Sequence, residues 1–394
     1  MLTLKILFWA TLLIVFYTYI GYGILLYIII RLKRLFVGRP HEAVLPADEE
    51  LPTMTLMICA YNEEDIVKEK MANTLALDYP KDKFRIMWVT DGSNDHTNEL
   101  LAAYPEVDIV FSPERRGKTA ALKHGLRELK TRYVAFTDAN TMINTGALRE
   151  IARLFSDPTV GCVSGEKRVA ARKAGEMASE GEGLYWRYES TLKRWDSELY
   201  SAMGAAGELY AIDPQLCREV PDEALLDDFM LSMYVVQAGK RIAYTSDAYA
   251  REYGSANIYE ESKRKRRIAA GGLQSIWWLR SMLNPLRQPL VTFQYVSHRV
   301  LRWSITPVAM VLLLIVNIAL VAMGAGTFYT VMLILQTLFY LMALAGWLTN
   351  RFGYKNKLLY TAYYFMFMNF NVFRGMAYLR SHGKSGAWEK AKRS

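Results

Sequence analysis

The chain has 394 residues and a formal net charge of +9, which leaves room for one sizeable domain and something beyond it, since single domains run to about 100–200 residues. Its three cysteines, Cys59, Cys162 and Cys217, have neither CxxC nor metal-ligand spacing, so a disulfide framework and a zinc site are excluded and the thiols read as buried in a reducing compartment. Much of the excess positive charge lies beside apolar segments, where it attracts anionic lipid and sets topology; a membrane is the favoured partner and nucleic acid is not.

Residues 6–30 are an uncharged apolar run, longer than the roughly 20 residues that cross a bilayer and too long for a signal-peptide core of about 7–15 residues. Arg31, Lys33, Arg34 and Arg39 follow, which predicts a transmembrane helix over residues 1–30 with its C-terminal end in the cytoplasm. A linker, first basic and then acidic, fills residues 31–52. Next come short apolar runs separated by helical segments: T-M-T-L-M-I-C-A (53–60), F-R-I-M-W-V-T (84–90), V-D-I-V-F (107–111) and R-Y-V-A-F-T (132–137). Such continuous apolar runs fit a parallel sheet covered on both faces, so residues 53–253 are expected to form an α/β domain. Ligands of these sheets bind beyond the carboxyl ends of the strands, where this chain has Tyr61-Asn62-Glu63-Glu64, Asp91-Gly92-Ser93 and Asp138-Ala139-Asn140.

Residues 254–300 are expected to form basic and interfacial helices. They contain E-S-K-R-K-R-R-I-A-A-G-G, with a cation at every position from Lys263 to Arg267, and the aromatic-rich L-Q-S-I-W-W-L-R. On a helix, five successive cations cover nearly the whole circumference, so some must point inward or at an anion. Transmembrane helices are expected within residues 301–380: clear spans at 305–323 and 330–348, and a third apolar segment at 358–378 carrying Asn369, Asn371 and Arg374. If the third segment spans, the basic tail (381–394) lies outside the cell, against the positive-inside tendency; a re-entrant or interfacial helix keeps it in the cytoplasm. Both readings stand.

Two runs end alike, V-T-Asp91-Gly92 and F-T-Asp138-Ala139. In one parallel sheet their carboxylates face one crevice, where like charges need a compensating cation. A divalent metal that also holds a substrate diphosphate is the usual compensation, and capping of the following turn is the alternative for each aspartate alone. Taken in order, A-Y-N-E-E, D-G-S, D-A-N, G-E-L-Y-A-I (207–212) and L-D-D-F (226–229), set between an apolar anchor and C-terminal spans, resemble the membrane-bound family 2 glycosyltransferases. That group includes cellulose, hyaluronan and poly-N-acetylglucosamine synthases.

The resemblance implies a GT-A type nucleotide-sugar-binding domain with a mostly parallel sheet. Tyr61 and Glu63 would border the base, Asp91 the nucleoside, and Lys118 the nucleotide-sugar. A P-loop reading of R-R-G-K-T fails, because Ser112 stands where the leading glycine is required. Asp138 would take Mg²⁺ or Mn²⁺ as the first residue of the family's Asp-x-Asp, with the neutral Asn140 in the second position. Asp228, the last residue of the segment aligned with Thr-Glu-Asp, would be the general base that accepts the acceptor's proton. Gly207, Glu208 and Asp227 would lie at the acceptor, and Trp195, Trp277 and Trp278 are candidates either for sugar stacking or for the membrane interface. The processive Gln-x-x-Arg-Trp signature falls on Arg264, Arg267 and Ile268, which sends Arg264 and Arg267 to the diphosphate, leaves the neighbouring cations for lipid headgroups, and replaces the acceptor-stacking Trp by Ile.

These readings converge on a multi-pass plasma-membrane enzyme with a cytoplasmic catalytic domain, which transfers sugar with inversion from a nucleotide-diphosphate sugar, first a UDP-sugar. The acceptor is expected to be a growing β-linked polysaccharide moved across the membrane. Single transfer to a lipid acceptor and a catalytically silent sugar-nucleotide-binding subunit are the alternatives.

Overall fold

The computed structural model describes all residues except 39–42, 171–176, 254–257, 353, 355 and 383–394. Arg39 and the tail cations Lys384, Lys390, Lys392 and Arg393 therefore lie outside the described residues. In chain order the helices are α1 (Leu2–Phe16), α2 (Tyr22–Val37), α3 (Val67–Leu75), α4 (Thr97–Ala102), α5 (Lys118–Arg127), α6 (Ala147–Phe155), α7 (Met177–Leu199), α8 (Asp227–Gln237), α9 (Ile258–Trp278), α10 (Pro289–Tyr295), α11 (Thr306–Ala322), α12 (Thr327–Arg351) and α13 (Lys357–His382). The strands are β1 (Met54–Ala60), β2 (Phe84–Asp91), β3 (Val107–Ser112), β4 (Tyr133–Asp138), β5 (Met142–Ile143), β6 (Val160–Ala170), β7 (Leu209–Ile212) and β8 (Arg241–Tyr253).

Among the described residues these strands form one sheet in the order β3-β2-β1-β4-β7-β6-β8-β5. The first four are parallel, as their uninterrupted apolar runs require, and β7 enters antiparallel to both β4 and β6. Alternate side chains feed two cores. Leu56, Ile58 and Trp88 pack with Met71 of α3 and with Leu148 and Ile151 of α6. Met57, Val89, Phe136 and Tyr210 pack with Leu122 of α5 and Met230 of α8, then onward to Leu279, Met282 and Tyr295. The second core thus seats the sheet on the helical segments that follow α9. Each such large side chain, fully buried, contributes roughly 1.5–3 kcal/mol.

Strand register positions the site. Ala60 pairs with Thr90, and Cys59 pairs with both Val89 and Asp138, so the segments after β1, β2 and β4 emerge side by side. Because β7 runs the other way, with Thr137 opposite Leu209, its leading residues Gly207 and Glu208 arrive at that same edge.

Among the described residues, three helical stretches are long and apolar enough to cross a membrane: Leu2–Val37, Pro289–Ala322 and Thr327–Arg351. The first two each contain a π-helical segment, Tyr17–Gly21 and Val296–Ile305, and these meet through Tyr17 Oη and Ser297 Oγ at 2.8 Å and Thr18 Oγ1 and Thr306 Oγ1 at 2.8 Å. The third apolar segment of the sequence is α13, which lies against α12 and α9. Its approach is close enough to require glycine: a Cβ on Gly346 would fall 2.1 Å from the Leu359 carbonyl oxygen, and one on Gly375 would fall 2.8 Å from Ala269. Asn369 and Asn371 of α13 are buried; Asn369 accepts from Tyr19 Oη, and Arg374 donates to Ser262.

Candidate active site

The loops after β1 and β2 bind each other. Asn62, at φ 51°, donates from its backbone to Ser93 Oγ (3.1 Å) and from its amide to Asn94 Oδ1 (2.7 Å), and Glu63 N–H donates to Thr97 Oγ1 (2.9 Å). Tyr61 is half-buried, with the Arg115 guanidinium 3.9 Å above its ring, a planar platform beside the crevice. Asp91 holds that platform together. Its buried carboxylate accepts from the backbone N–H of Arg116 (2.9 Å) and of Gly117 (2.6 Å), which draws residues 115–117 against β2. Gly92 is obligatory there: its φ is +67°, and a Cβ would fall 2.5 Å from Arg115 N.

Lys118 opens α5 and donates to Asp138 Oδ1 at 2.7 Å, while Asp227 Oδ2 lies 4.0 Å from the same ammonium. Burial opposes the charge on Lys118, but Asp138, Asp227 and Asp228 outweigh it and hold its pKa well above the usual lysine value. The buried Asp227 Oδ2 accepts no hydrogen bond. Asp228, in the first turn of α8, accepts from Phe229 N–H at 2.8 Å. Burial first, and then the charge of Asp227, push its pKa up to about 6. Its other oxygen lies so close to Gly207 that a Cβ there would be 2.7 Å away. Small residues in G-A-A-G thus serve to let a carboxylate reach the backbone.

Lys118, Asp138, Gly207, Glu208, Asp227, Asp228, Arg264 and Arg267 all line one cavity of about 470 Å³. Tyr61, Glu63, Asp91 and Asn140 belong to the adjoining strand-end loops rather than to its wall. The cavity continues into the helices, where Tyr19, Trp303 and the α13 residues Tyr364, Phe365 and Met368 complete its lining.

The two arginines placed together by the sequence reading have different surroundings. Arg264 is buried, with Glu208 Oε1 at 3.4 Å and Glu261 at 3.8 Å. Glu208 also receives Lys167 at 2.6 Å; burial works against its charge, yet Lys167 and Arg264 hold its carboxyl well below the usual range. Arg267 is half-buried and, among the described residues, has no ion pair or hydrogen bond. Of the neighbouring cations, Lys263 lies 3.4 Å from Glu260 and Lys265 lies 3.3 Å from Glu261, the i,i+3 and i,i+4 partners supplied by their own helix. The glycines that follow allow contact. A Cβ on Gly271 would strike Leu226 at 2.6 Å, and one on Gly272 would strike the Trp303 ring at 2.6 Å.

Residues 55–212 match the family model described as glycosyl transferase family 2. By that match, residues 55–212 are a family 2 glycosyltransferase domain. Among curated relatives, a poly-beta-1,6-N-acetyl-D-glucosamine synthase of Staphylococcus aureus is 35% identical over 125 residues, 31% of this chain and 30% of the relative. A beta-monoglucosyldiacylglycerol synthase of Synechocystis is 25% identical over 259 residues, 61% of this chain and 53% of the relative. The matched part therefore spans about a third of the first relative and about half of the second. A solved mannosyltransferase of Pyrobaculum calidifontis, in complex with GDP-Man and Mn2+, superposes with a TM-score of 0.70 over 95% of this chain and 98% of its own, at 21% identity. That likeness establishes the fold, GT-A type, to which this chain adds helices long and apolar enough to cross a membrane.

The tryptophans singled out by sequence lie elsewhere. Trp195 packs on Tyr27 with ring centroids 5.5 Å apart, Trp277 is exposed, and Trp278 packs on the second core. The cavity is instead lined by Trp186 of α7 and by Trp303, which stands edge-on to Phe229 at 5.0 Å. Sequence reading also missed Lys70, wholly buried on α3, which donates to the Thr141 carbonyl (2.6 Å) and to Thr137 Oγ1 (3.2 Å) and so braces the turn bearing Asp138 and Asn140. Burial lowers its pKa to about 7. A lysine within an amphipathic helix carries no sequence signal for such a role.

Proposed function

We propose that the chain transfers a sugar, with inversion at the anomeric carbon, from a nucleoside-diphosphate sugar to a hydroxyl of an acceptor held at the cytoplasmic face of a membrane. The observation that carries this reading is the place of Asp228: its carboxylate abuts Gly207 and lines the same cavity as Lys118, Asp138 and Arg267. A buried carboxylate with its pKa pushed up to about 6 is a competent base near neutral pH. It accepts the acceptor's hydroxyl proton as the new glycosidic C–O bond forms and the bond to the diphosphate breaks. The leaving diphosphate takes the bonding electron pair, and Arg267 and Lys118 stabilise its charge. Tyr61 with Arg115 takes the base.

A divalent cation fits this cluster, since three carboxylates, Asp138, Asp227 and Asp228, surround Lys118 and Asp227 Oδ2 has no donor. Asp138 would hold it, with Asn140 as a neutral ligand. Among the described residues no three acidic, histidine or cysteine side chains group to enclose an ion, which suits Mg²⁺ or Mn²⁺ bound largely through substrate phosphates. When bound, the ion neutralises the diphosphate. The Mn²⁺ and GDP-Man of the structural relative support a metal and keep guanosine donors beside the UDP-sugars first expected.

Elongation of a β-linked polysaccharide, with translocation, has the support of the likeness to the poly-N-acetylglucosamine synthase. A specific observation favours single transfer to a lipid-linked acceptor: Ile268 stands in the cavity wall where a processive enzyme would present Trp, and an apolar face of α13 lines the same space. The full chain in detergent, given labelled UDP- and GDP-sugars with Mg²⁺ or Mn²⁺, should form polymer in the first case and lipid carrying one sugar in the second. Asp228→Asn should abolish transfer and leave nucleotide binding near wild type; normal turnover in this variant would remove Asp228 as base.

A further inference from the structure

The cavity contains a second group of charges, contributed by α7 and the π-helical segment Val296–Ile305 rather than by strand ends. Trp186, Glu189 and Lys193 recur along α7 at i, i+3 and i+7 and share its wall with Arg299 and Arg302. Glu189 is 2% exposed and its carboxylate is fully engaged: Arg299 lies 2.7 Å from Oε1, and Arg302 and His298 lie 3.0 and 3.3 Å from Oε2. Arg299 also donates to the Met203 carbonyl at 2.7 Å. Lys193 is 5% exposed and, among the described residues, makes no hydrogen bond and has no carboxylate within 4.0 Å. Burial, and then the nearby Arg299, lower its pKa against the opposing charges of Glu189, Glu208 and Asp228.

An ammonium taken out of water without a partner is costly. The α13 side chains Tyr364, Phe365, Met368 and Val372, on one helical face, supply an apolar wall to the same cavity. The combination of a buried ammonium without a protein partner among the described residues and an apolar wall matches a ligand that is anionic at one point and greasy beyond it.

We propose that Lys193, flanked by Arg299 and Arg302, binds a phosphate that links the acceptor's sugar to a lipid chain, and that the α13 face receives the start of that chain. This rests on the assignment of the Asp228 cavity as the acceptor site. The phosphate fixes the acceptor in the cavity, and it takes no part in bond making.

The test uses the full chain in phosphatidylcholine nanodiscs with two probes of equal chain length, farnesyl phosphate and farnesol, and reads binding by titration calorimetry. Wild type should bind farnesyl phosphate at least about tenfold more tightly than farnesol, as a charge-assisted contact provides. Lys193→Met should remove that preference and Lys193→Arg should keep most of it. Equal binding of the two probes by wild type, or an undiminished preference in Lys193→Met, overturns the proposal. A uronate-ended oligosaccharide that competes as well as farnesyl phosphate also overturns it, because the anion would then be a sugar carboxylate. If Lys193→Met does not fold, the wild-type pair and Lys193→Arg still decide. Failure of glycosyl transfer itself would appear as no donor consumption with any acceptor, a result independent of the binding titration.

Discussion

Gly207→Ala offers the sharpest test of the base. A Cβ at this position would lie 2.7 Å from Asp228 Oδ2, where ordinary contact begins near 3.4 Å, so the carboxylate must retreat by about 0.7 Å. The backbone of Gly207 is not in the left-handed region, so alanine brings no conformational strain of its own. Overpacking of this kind costs about 1–3 kcal/mol of stability, which thermal unfolding would register as a modest fall. The kinetic effect should be larger, because a base displaced by most of an ångström loses up to about a hundredfold in rate. Steady-state transfer should therefore show kcat reduced roughly ten- to a hundredfold, with nucleotide affinity, measured by calorimetry, unchanged. Wild-type kcat in a folded Gly207→Ala protein would refute the placement of Asp228 at the acceptor.

Three further predictions test the electrostatics and the aromatic wall. Since Asp228 works only when ionised and its pKa is pushed up to about 6, kcat/KM should fall as pH drops through that region; Asp227→Asn, which removes the second cause of the rise, should move this acid limb to lower pH, and a limb that stays or moves upward would contradict the assignment. Arg267→Ala should weaken nucleotide-diphosphate binding about ten- to a hundredfold, the worth of a hydrogen bond to a charged group, whereas Arg264→Ala should chiefly lower thermal stability, by about 1.5–3 kcal/mol, because it removes one of the two cations on the buried Glu208 and leaves Lys167 in place; calorimetry and melting curves showing the reverse pattern would exchange their roles. Trp303→Ala should raise the acceptor KM several-fold and leave the donor KM alone, and a donor-side effect would place this ring elsewhere.

The parallel half of the sheet was legible because burial on both faces writes continuous apolar runs; β1 to β4 lie within one or two residues of the expected stretches. The strands β6 and β8 were not anticipated. Their sequences, V-G-C-V-S-G-E-K-R-V-A and R-I-A-Y-T-S-D-A-Y-A-R-E-Y, mix polar and apolar residues, since they carry Lys167 and Glu252 into a buried ion pair as well as forming ladder. Strand-end chemistry was legible for a related reason. A parallel sheet delivers whatever follows each strand to one edge, so D-G and D-A at the ends of β2 and β4 emerge on either side of β1, where Asp91 turns to the backbone of Arg116 and Gly117 and Asp138 to Lys118.

The helix-borne half of the cavity obeys no such rule. Nothing in the spacing of Lys193, Trp303 and Arg267 along the chain says that they share a wall, because α7, α9 and the segment after α10 converge only through tertiary packing. The basic run illustrates the difficulty. Helical geometry correctly requires that five consecutive cations cannot all face water, but which of them is neutralised depends on Glu208, reached through β7, and on Glu260 and Glu261 one turn away. Only when those acids have been paired off does Arg267 emerge as the cation of the run left facing the cavity without a protein carboxylate among the described residues. The same subtraction applied to α7, with Glu189 consumed by Arg299 and Arg302, isolates Lys193. Charge left over after protein pairing, inside a cavity, is the property that ligands of opposite charge exploit, and here it occurs at two places: one suited to the leaving diphosphate and one to the acceptor.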